Sequence, residues 1–504
     1  MHFRHRPLLT AVLAGAATVG GFAPFGWFPL PILTLTLLVV LWRRAATARA
    51  AALLGFAFGF GCFMAGVSWV YVSMHDFGAM PAWLAAALTV LLCAYMALFT
   101  ALAGWASRAL AAHSAPAMLA LVPALWTLAE WLRGWLFTGF PWLAIGYSQV
   151  PDSPLAGYAP VLGVYGVTLL TVASAALLAG ALQRAANSSA PPRAGAVLAL
   201  ALLWGGGHAL KGIEWTTAVG EPVPVALVQG NIAQDLKWRE DRLQSTLGAY
   251  RDLVAAGDAR LTILPETALP MFLHSVPREY LDGLAAHARQ SHGDILIGVP
   301  ERGDARTYFN TVISVGTAPV QFYRKSHLVP FGEFIPLKPL FGWFLDFAQI
   351  PLADFARGDI NQQPLDVAGQ KVAVNICYED AFGAEIARQL PQATLLANVS
   401  NVAWFGRSIA PQQHLQISQA RALETGRFML RATNTGMTAI IDARGRVLHA
   451  APEFTAAVVR GKVQGYAGAT PYVRWHDGPV IAGALLLVAA GAALRRRALA
   501  ARKS

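Results

Sequence analysis

The sequence predicts a bundle of about eight membrane-spanning α-helices carrying one large extramembrane α/β domain. Three observations lead there. Of 504 residues, 55% are hydrophobic and only 13% are charged, with a mean hydropathy of +0.45; a soluble domain carries roughly 25% charged residues. The apolar residues gather into segments of spanning length joined by short loops. From about residue 216 the pattern changes to short strand-like runs alternating with amphipathic helical stretches.

A spanning helix needs about 20 apolar residues. The candidate segments are 8–23, 27–42, 51–72, 83–107, 116–132, 161–182, 194–210 and 477–494. The first two are short, and Phe22-Ala23-Pro24-Phe25-Gly26 blurs the boundary between them. The first follows Arg4 and Arg6, as a signal peptide would, but more spans follow and no clear small-residue cleavage site appears. Loop charge supports the count. With the N-terminus inside, the inner loops hold Arg43, Arg44 and Arg49, then Arg108 and His113, then Arg184 and Arg193; the tail holds Arg495, Arg496, Arg497, Arg502 and Lys503. The outer loops 73–82 and 133–160 carry little positive charge, as the positive-inside rule requires. The net charge of +11 is thus a topology signal and not a nucleic-acid groove. Loop 133–160 holds Trp135, Phe137, Phe140, Trp142 and Tyr147, which read as an interfacial aromatic belt before a substrate contact.

The chain divides accordingly into a seven-span bundle over 1–215, an extramembrane domain over 216–470, and a last span with a basic tail over 471–504. In the domain, strand-like runs fall at 224–230, 261–265, 294–299, 308–315, 319–324, 371–377, 393–398, 428–433, 437–442 and 455–460. Amphipathic helical patterns fall at 238–256, 278–291, 380–389 and 411–425. Strands that alternate with helices and then give way to hairpins predict stacked sheets covered by helices.

Three islands carry the chemistry: Leu264-Pro265-Glu266-Thr267, Tyr323-Arg324-Lys325-Ser326-His327 and Val374-Asn375-Ile376-Cys377-Tyr378-Glu379-Asp380. Each is an apolar strand closing on one ionisable residue. A cysteine attacks carbonyl carbon as its thiolate, and an ordinary thiol is mostly protonated at neutral pH. Glu266 can take that proton and later return it to a leaving group. Lys325 can stabilise the thiolate and then the oxyanion. Each residue alone reads as packing or surface; the conjunction of three strand ends reads as a thiol acyl-transfer site. His327 and His414 sit outside it, neither placed at a strand end beside a carboxylate. Cys62 and Cys93 lie in apolar stretches and read as packing residues.

These islands resemble the nitrilase (carbon-nitrogen hydrolase) superfamily, together with Val225-Ala226-Leu227-Val228-Gln229-Gly230-Asn231, Leu328-Val329-Pro330-Phe331-Gly332-Glu333 and Asn398-Val399-Ser400-Asn401-Val402-Ala403-Trp404-Phe405. Within it they resemble the apolipoprotein N-acyltransferase family, over nearly the whole chain. The resemblance implies an αββα sandwich, with Glu266 as base, Lys325 as oxyanion stabiliser and Cys377 as nucleophile. It further implies Glu333 as a carboxylate orienting Lys325 or the leaving proton, Tyr378 and Glu379 as supports of the nucleophile loop, and Trp238 as a position near the lipid entry. Asn398 and Ser400 read as hydrogen-bonders at a strand end. Leu340-Phe341-Gly342-Trp343-Phe344-Leu345-Asp346-Phe347 is too short to span and too apolar for an ordinary loop. It reads as an arm that dips into the bilayer and admits acyl chains, with Phe341, Trp343 and Phe344 as lipid contacts.

The implied reaction moves an acyl chain from a membrane phospholipid to Cys377, and then to the N-terminal diacylglyceryl-cysteine amine of an apolipoprotein. The implied setting is the bacterial inner membrane, with the catalytic domain on the periplasmic side. No metal and no nucleotide cofactor is expected, since neither ligand spacing nor a phosphate loop occurs. Two rivals stand beside this expectation: a membrane-tethered amidase that passes its thioester to water, and a non-catalytic binding protein or transporter. The last predicts ionisable residues inside the spans, where Glu130 is the main candidate.

Overall fold

The computed structural model describes residues 5–111, 114–182, 192–304, 307–336 and 354–501. The chain forms two compact units: Met1–Val70 with Trp83–Ile213 and Trp475–Ser504, and Tyr71–Ala82 with Glu214–Arg474.

The first unit is helical, and a helix lies at each of the eight apolar segments. Among the described residues, four are long and apolar enough to cross a bilayer: Ala48–Val67, Ala82–Leu110, Pro154–Ala181 and Gly478–Arg496. Four helices of clear spanning length thus stand behind the expectation of about eight spans. His5–Thr18 has 14 residues and Pro29–Arg44 has 16. At 1.5 Å per residue these reach about 21 and 24 Å, short of a hydrocarbon core of about 30 Å. The break follows from Gly20, Gly21 and Pro24, which end the first helix early. The span expected over 51–72 ends at Val67, and Tyr71–Ala82 joins the other unit.

Small residues let the helices touch. A Cβ on Gly15 would lie 1.9 Å from the Phe58 carbonyl oxygen, and one on Gly61 would lie 2.1 Å from that of Val12, so the backbones of His5–Thr18 and Ala48–Val67 meet directly. Glu130 is buried and fully engaged, accepting from Trp126 Nε1, the Ile145 amide and Thr168 Oγ1. Arg133 donates to the carbonyls of Phe140 and Trp142. That contact folds the aromatic loop back on the bundle. Trp142 and Tyr147 are buried, while Trp135 and Phe137 are exposed; only the exposed pair suits the expected belt.

Among the described residues the second unit holds two six-stranded mixed sheets. The first comprises β1 (Thr217–Gln229), β2 (Leu261–Ile263), β3 (Asp294–Arg302), β4 (Tyr308–Gly316), β5 (Phe322–Arg324) and β12 (Ala457–Ala467), in the order β12-β1-β2-β3-β4-β5. The second comprises β6 (Leu365–Val367), β7 (Gln370–Ile376), β8 (Leu395–Ser400), β9 (Met429–Thr433), β10 (Ala439–Ile441) and β11 (Val447–Ala450), in the order β11-β10-β9-β8-β7-β6. In each, three parallel strands stand at the centre, β1-β2-β3 and β7-β8-β9, flanked by antiparallel ones.

Side-chain alternation builds the layers. Val223, Val225 and Leu227 of β1 face Val372, Val374 and Ile376 of β7 across the core between the sheets. Val228, Ile295 and Ile297 face outward under the helices Glu240–Ala255 and Arg278–Gln290. Ala373, Leu396 and Met429 face outward under Ala410–Thr425. The result is the four-layer αββα sandwich. The sequence reading lacks β6 and β11, the former three residues long, the latter exposed throughout and so without apolar alternation. The helix expected over 380–389 is broken into a 3-10 turn, the short helix Gly383–Ile386 and a second 3-10 turn.

One glycine sets how closely β3 approaches the turn after β2. A Cβ on Gly298 would lie 2.3 Å from the Pro265 oxygen and 2.8 Å from Glu266 Cα. Gly298→Ala is therefore expected to destabilise the protein by about 1–3 kcal/mol. Gly283→Ala, in the helix Arg278–Gln290 with open space around it, should stabilise by about 0.5–1 kcal/mol. Thermal midpoints of the two purified variants, moving in opposite directions, check this.

Candidate active site

The three islands converge at the carboxyl ends of β2, β5 and β7. Glu266 follows β2 and is 7% exposed; Lys325 follows β5 and is 1% exposed. Lys325 Nζ donates to Glu333 Oε1 at 2.8 Å and lies 3.7 Å from Glu266 Oε1. Asn310, on β4, ties both carboxylates together: its Nδ2 donates to Glu266 Oε1 at 2.7 Å and to Glu333 Oε1 at 3.1 Å. The other oxygen of Glu266 accepts from the Asn401 amide at 2.7 Å, and that of Glu333 from the Val329 amide at 2.8 Å. Burial works against the Lys325 charge, but the Glu333 and Glu266 carboxylates outweigh it and hold the ammonium above the ordinary lysine pKa.

Cys377 is partly exposed and opens the 3-10 turn Cys377–Ala381. Its φ of 54° places a non-glycine residue in the left-handed region, a local strain held by its surroundings. Asn398 Nδ2 donates to the Cys377 carbonyl at 3.0 Å, and His414 Nε2 lies 3.2 Å from it. Behind them Asp380 accepts from Arg431 Nη1 at 3.0 Å and pairs with His414 Nε2 at 2.7 Å. Burial and the nearby Glu266 carboxylate push the thiol up to about 12, with Lys325 and the Ser400 hydroxyl pulling the other way. The sulfur rests protonated at neutral pH.

Glu379 joins the nucleophile turn to the lysine loop. Its carboxylate accepts from the amides of Ile376 at 2.7 Å, Ser326 at 2.7 Å and His327 at 3.0 Å, and from Tyr323 Oη at 3.0 Å. Burial still leaves its pKa raised, against those donors. Tyr378 is buried, edge-on to Phe382. Trp238 is half-buried in the loop after β1. Phe341, Trp343 and Phe344 lie outside the described residues.

The sequence reading missed several neighbours. Asn310 and Arg431 are lone polar residues in apolar strands, a signal that went unused. Lys237 is buried, with its Nζ 3.2 Å from the Glu266 carbonyl oxygen; it stood hidden beside Trp238. Both histidines do sit beside carboxylates, His414 beside Asp380 and His327 beside Glu385, contrary to expectation. The ring nitrogen of His414 reaches the Cys377 carbonyl.

Comparison with known proteins shows the family. Residues 14–177 match the apolipoprotein N-acyltransferase N-terminal domain, and residues 224–472 match carbon-nitrogen hydrolase. An apolipoprotein N-acyltransferase of Nitrosomonas europaea is 56% identical over 96% of this chain and 96% of its own. One from Chromobacterium violaceum is 49% identical over 97% of this chain and 94% of its own. The chain belongs to the apolipoprotein N-acyltransferase family. It is a membrane acyltransferase built on the carbon-nitrogen hydrolase fold, and the non-catalytic reading gives way.

In this acyltransferase the Glu379 clamp makes a sharp prediction. Glu379→Gln turns one acceptor oxygen into a donor that faces other donors. It should cost about 3 kcal/mol or more and lower acyl-transfer rate about 100-fold by loosening two catalytic loops at once. Thermal unfolding and initial rates of the purified variant measure both; wild-type values for the pair would refute the clamp.

Proposed function

We propose that this enzyme transfers an acyl chain from a membrane phospholipid to the N-terminal diacylglyceryl-cysteine amine of apolipoproteins through a thioester on Cys377. One observation carries the assignment of roles: a buried lysine between two carboxylates stands beside a strained cysteine at the strand ends of an αββα sandwich.

The resting thiol is neutral, so attack begins with proton transfer. Glu266 takes the proton from Cys377 as sulfur bonds to the ester carbonyl carbon. Lys325 stabilises the oxyanion of the tetrahedral intermediate, and Glu333 keeps the ammonium in place. The intermediate collapses; the bond to the lysophospholipid oxygen breaks, and Glu266 protonates that oxygen. The thioester remains. The lipoprotein amine then attacks it, Glu266 accepts a proton from nitrogen, and the amide leaves as Cys377 regains its proton. This is ping-pong covalent catalysis.

Both substrates carry acyl chains, and pulling a chain from the bilayer costs about 0.8 kcal/mol per CH₂. An enzyme held at the membrane meets them by lateral diffusion. The proposed topology has seven spans before residue 211 and one after the catalytic domain, with that domain on the periplasmic side of the bacterial inner membrane. Loop charge supports it: Arg43, Arg44, Arg49 and Arg108 fall on one side, as does the basic tail. Trp238, Phe341, Trp343 and Phe344 are the proposed lipid contacts.

Intact-mass analysis of enzyme purified from membranes should show a fatty-acyl adduct on Cys377 that hydroxylamine removes. Cys377→Ala should lose both the adduct and acyl transfer to a diacylglyceryl peptide. Acyl transfer that survives Cys377→Ala would overturn the mechanism. Hydrolysis in place of transfer, with the peptide amine present, would favour a tethered amidase.

A further inference from the structure

Lys237 is an oddity of the site. It is 3% exposed, and an ammonium removed from water normally demands a carboxylate partner. Among the described residues its one hydrogen bond goes to the Glu266 carbonyl at 3.2 Å. The loop that carries it is pinned over the site by Gln234, whose Oε1 accepts from Asn401 Nδ2 at 2.8 Å. Asn401 is the residue whose amide binds the Glu266 carboxylate. Lys237 thus grips the main chain of the base from one side while its own loop grips the residue holding the base from the other.

Charge completes the argument. Glu266 and Glu333 bring two carboxylates to the sulfur with Lys325 between them, while Arg431, which also faces the sulfur, is paired with Asp380. Lys237 adds a second buried ammonium beside these carboxylates. When the thiol proton passes from Cys377 to Glu266, negative charge moves from carboxylate to sulfur, and the total stays the same. How readily it moves depends on the cations that face the sulfur.

We propose that Lys237 is a positioning residue for the nucleophile: its buried ammonium fixes the Glu266 peptide and balances the negative charge that passes between Glu266 and Cys377. The proposal rests on Cys377 being the nucleophile. Burial lowers the Lys237 pKa to about 8, opposed by the charges of Glu266 and Cys377. Its charge is therefore present at neutral pH and fades as pH rises through that value. The other charged groups around the sulfur are Glu266, Glu333, Lys325 and Arg431, with Glu379 on the adjoining turn and the Asp380–His414 pair behind the Cys377 carbonyl. All of them stay in place when Lys237 alone is changed.

The test is the rate of Cys377 alkylation by iodoacetamide in the full-length enzyme from pH 6.5 to 9.5 (about a thirtyfold range of Lys237 charge ratio either side of its pKa), read on the Cys377 peptide by mass spectrometry. Lys237→Met keeps the volume and removes the charge. It should slow alkylation at pH 7 about tenfold, the change one pKa unit of the thiol produces. The gap between wild type and Lys237→Met should close above pH 8, as the wild-type lysine loses its proton. Lys237→Arg should retain the fast rate at pH 7 and keep it at higher pH. A Lys237→Met profile that overlays the wild type overturns the proposal. So does a rate defect that is the same at every pH and tracks a lowered thermal midpoint, because that is the mark of a packing role. A wild-type Cys377 that neither alkylates nor carries an acyl adduct overturns the nucleophile assignment, and Lys237 with it.

Discussion

The buried ammonium of Lys325 is the constraint around which the catalytic unit is arranged. A charge taken from water is tolerated only with partners of good geometry, and here two carboxylates and one shared asparagine supply them. Those partners arrive from separate parts of the first sheet: Glu266 after β2, Asn310 within β4, Glu333 on the loop beyond β5. The charge cannot be satisfied until these strands are paired in register. Correct folding and correct assembly of the Glu266–Lys325–Glu333 cluster are therefore one event.

The second sheet delivers Cys377, the proposed nucleophile, under a different constraint. Cys377 is strained, and its carbonyl is held by Asn398 and His414. Asn398 is itself fixed by Arg431 Nη1 at 2.7 Å, and Arg431 by Asp380. This buried network spans β7, β8 and β9 and resists relaxation of the turn. Glu379 then spans the sandwich, binding the nucleophile strand and the lysine loop with one carboxylate. The two halves of the site keep their distance because a single buried side chain measures it.

How much of this is legible in the sequence follows from what each element needs. The strands bearing Glu266, Lys325 and Cys377 are apolar and end on one charge, so both strand and site show in the linear pattern. The main helices show by their period. β11 does not, because all four of its residues are exposed and no alternation marks it. Lys237, Asn401 and Arg431 do not, because their meaning lies in partners far along the chain: Lys237 in a carbonyl at Glu266, Asn401 in a carboxylate 135 residues away. The bundle misleads in another way. Composition reveals apolar segments but not helix length, and Gly20, Gly21 and Pro24 shorten the first helix where hydropathy alone would extend it. Arg133 likewise draws Trp142 into the interior of its unit, which aromatic content alone would assign to a membrane surface.

The triad by itself does not choose between hydrolysis and acyl transfer, because Glu266 can take a proton from water or from an amine with the same geometry. The choice must come from which nucleophile reaches the thioester first. Water is the smaller and more abundant, so transfer requires that it be kept out while a lipid-bearing amine is let in. A protonated resting thiol suits this arrangement, since no reactive thiolate stands waiting for adventitious electrophiles. In the proposed mechanism the proton leaves when Glu266, already locked in place by Asn310 and Asn401, meets a substrate whose carbonyl can accept the sulfur. Selectivity in this proposal then resides in access to the thioester and not in the three proposed reacting side chains. That is why a hydrolase fold can serve transfer between two lipids once it is anchored where those lipids are.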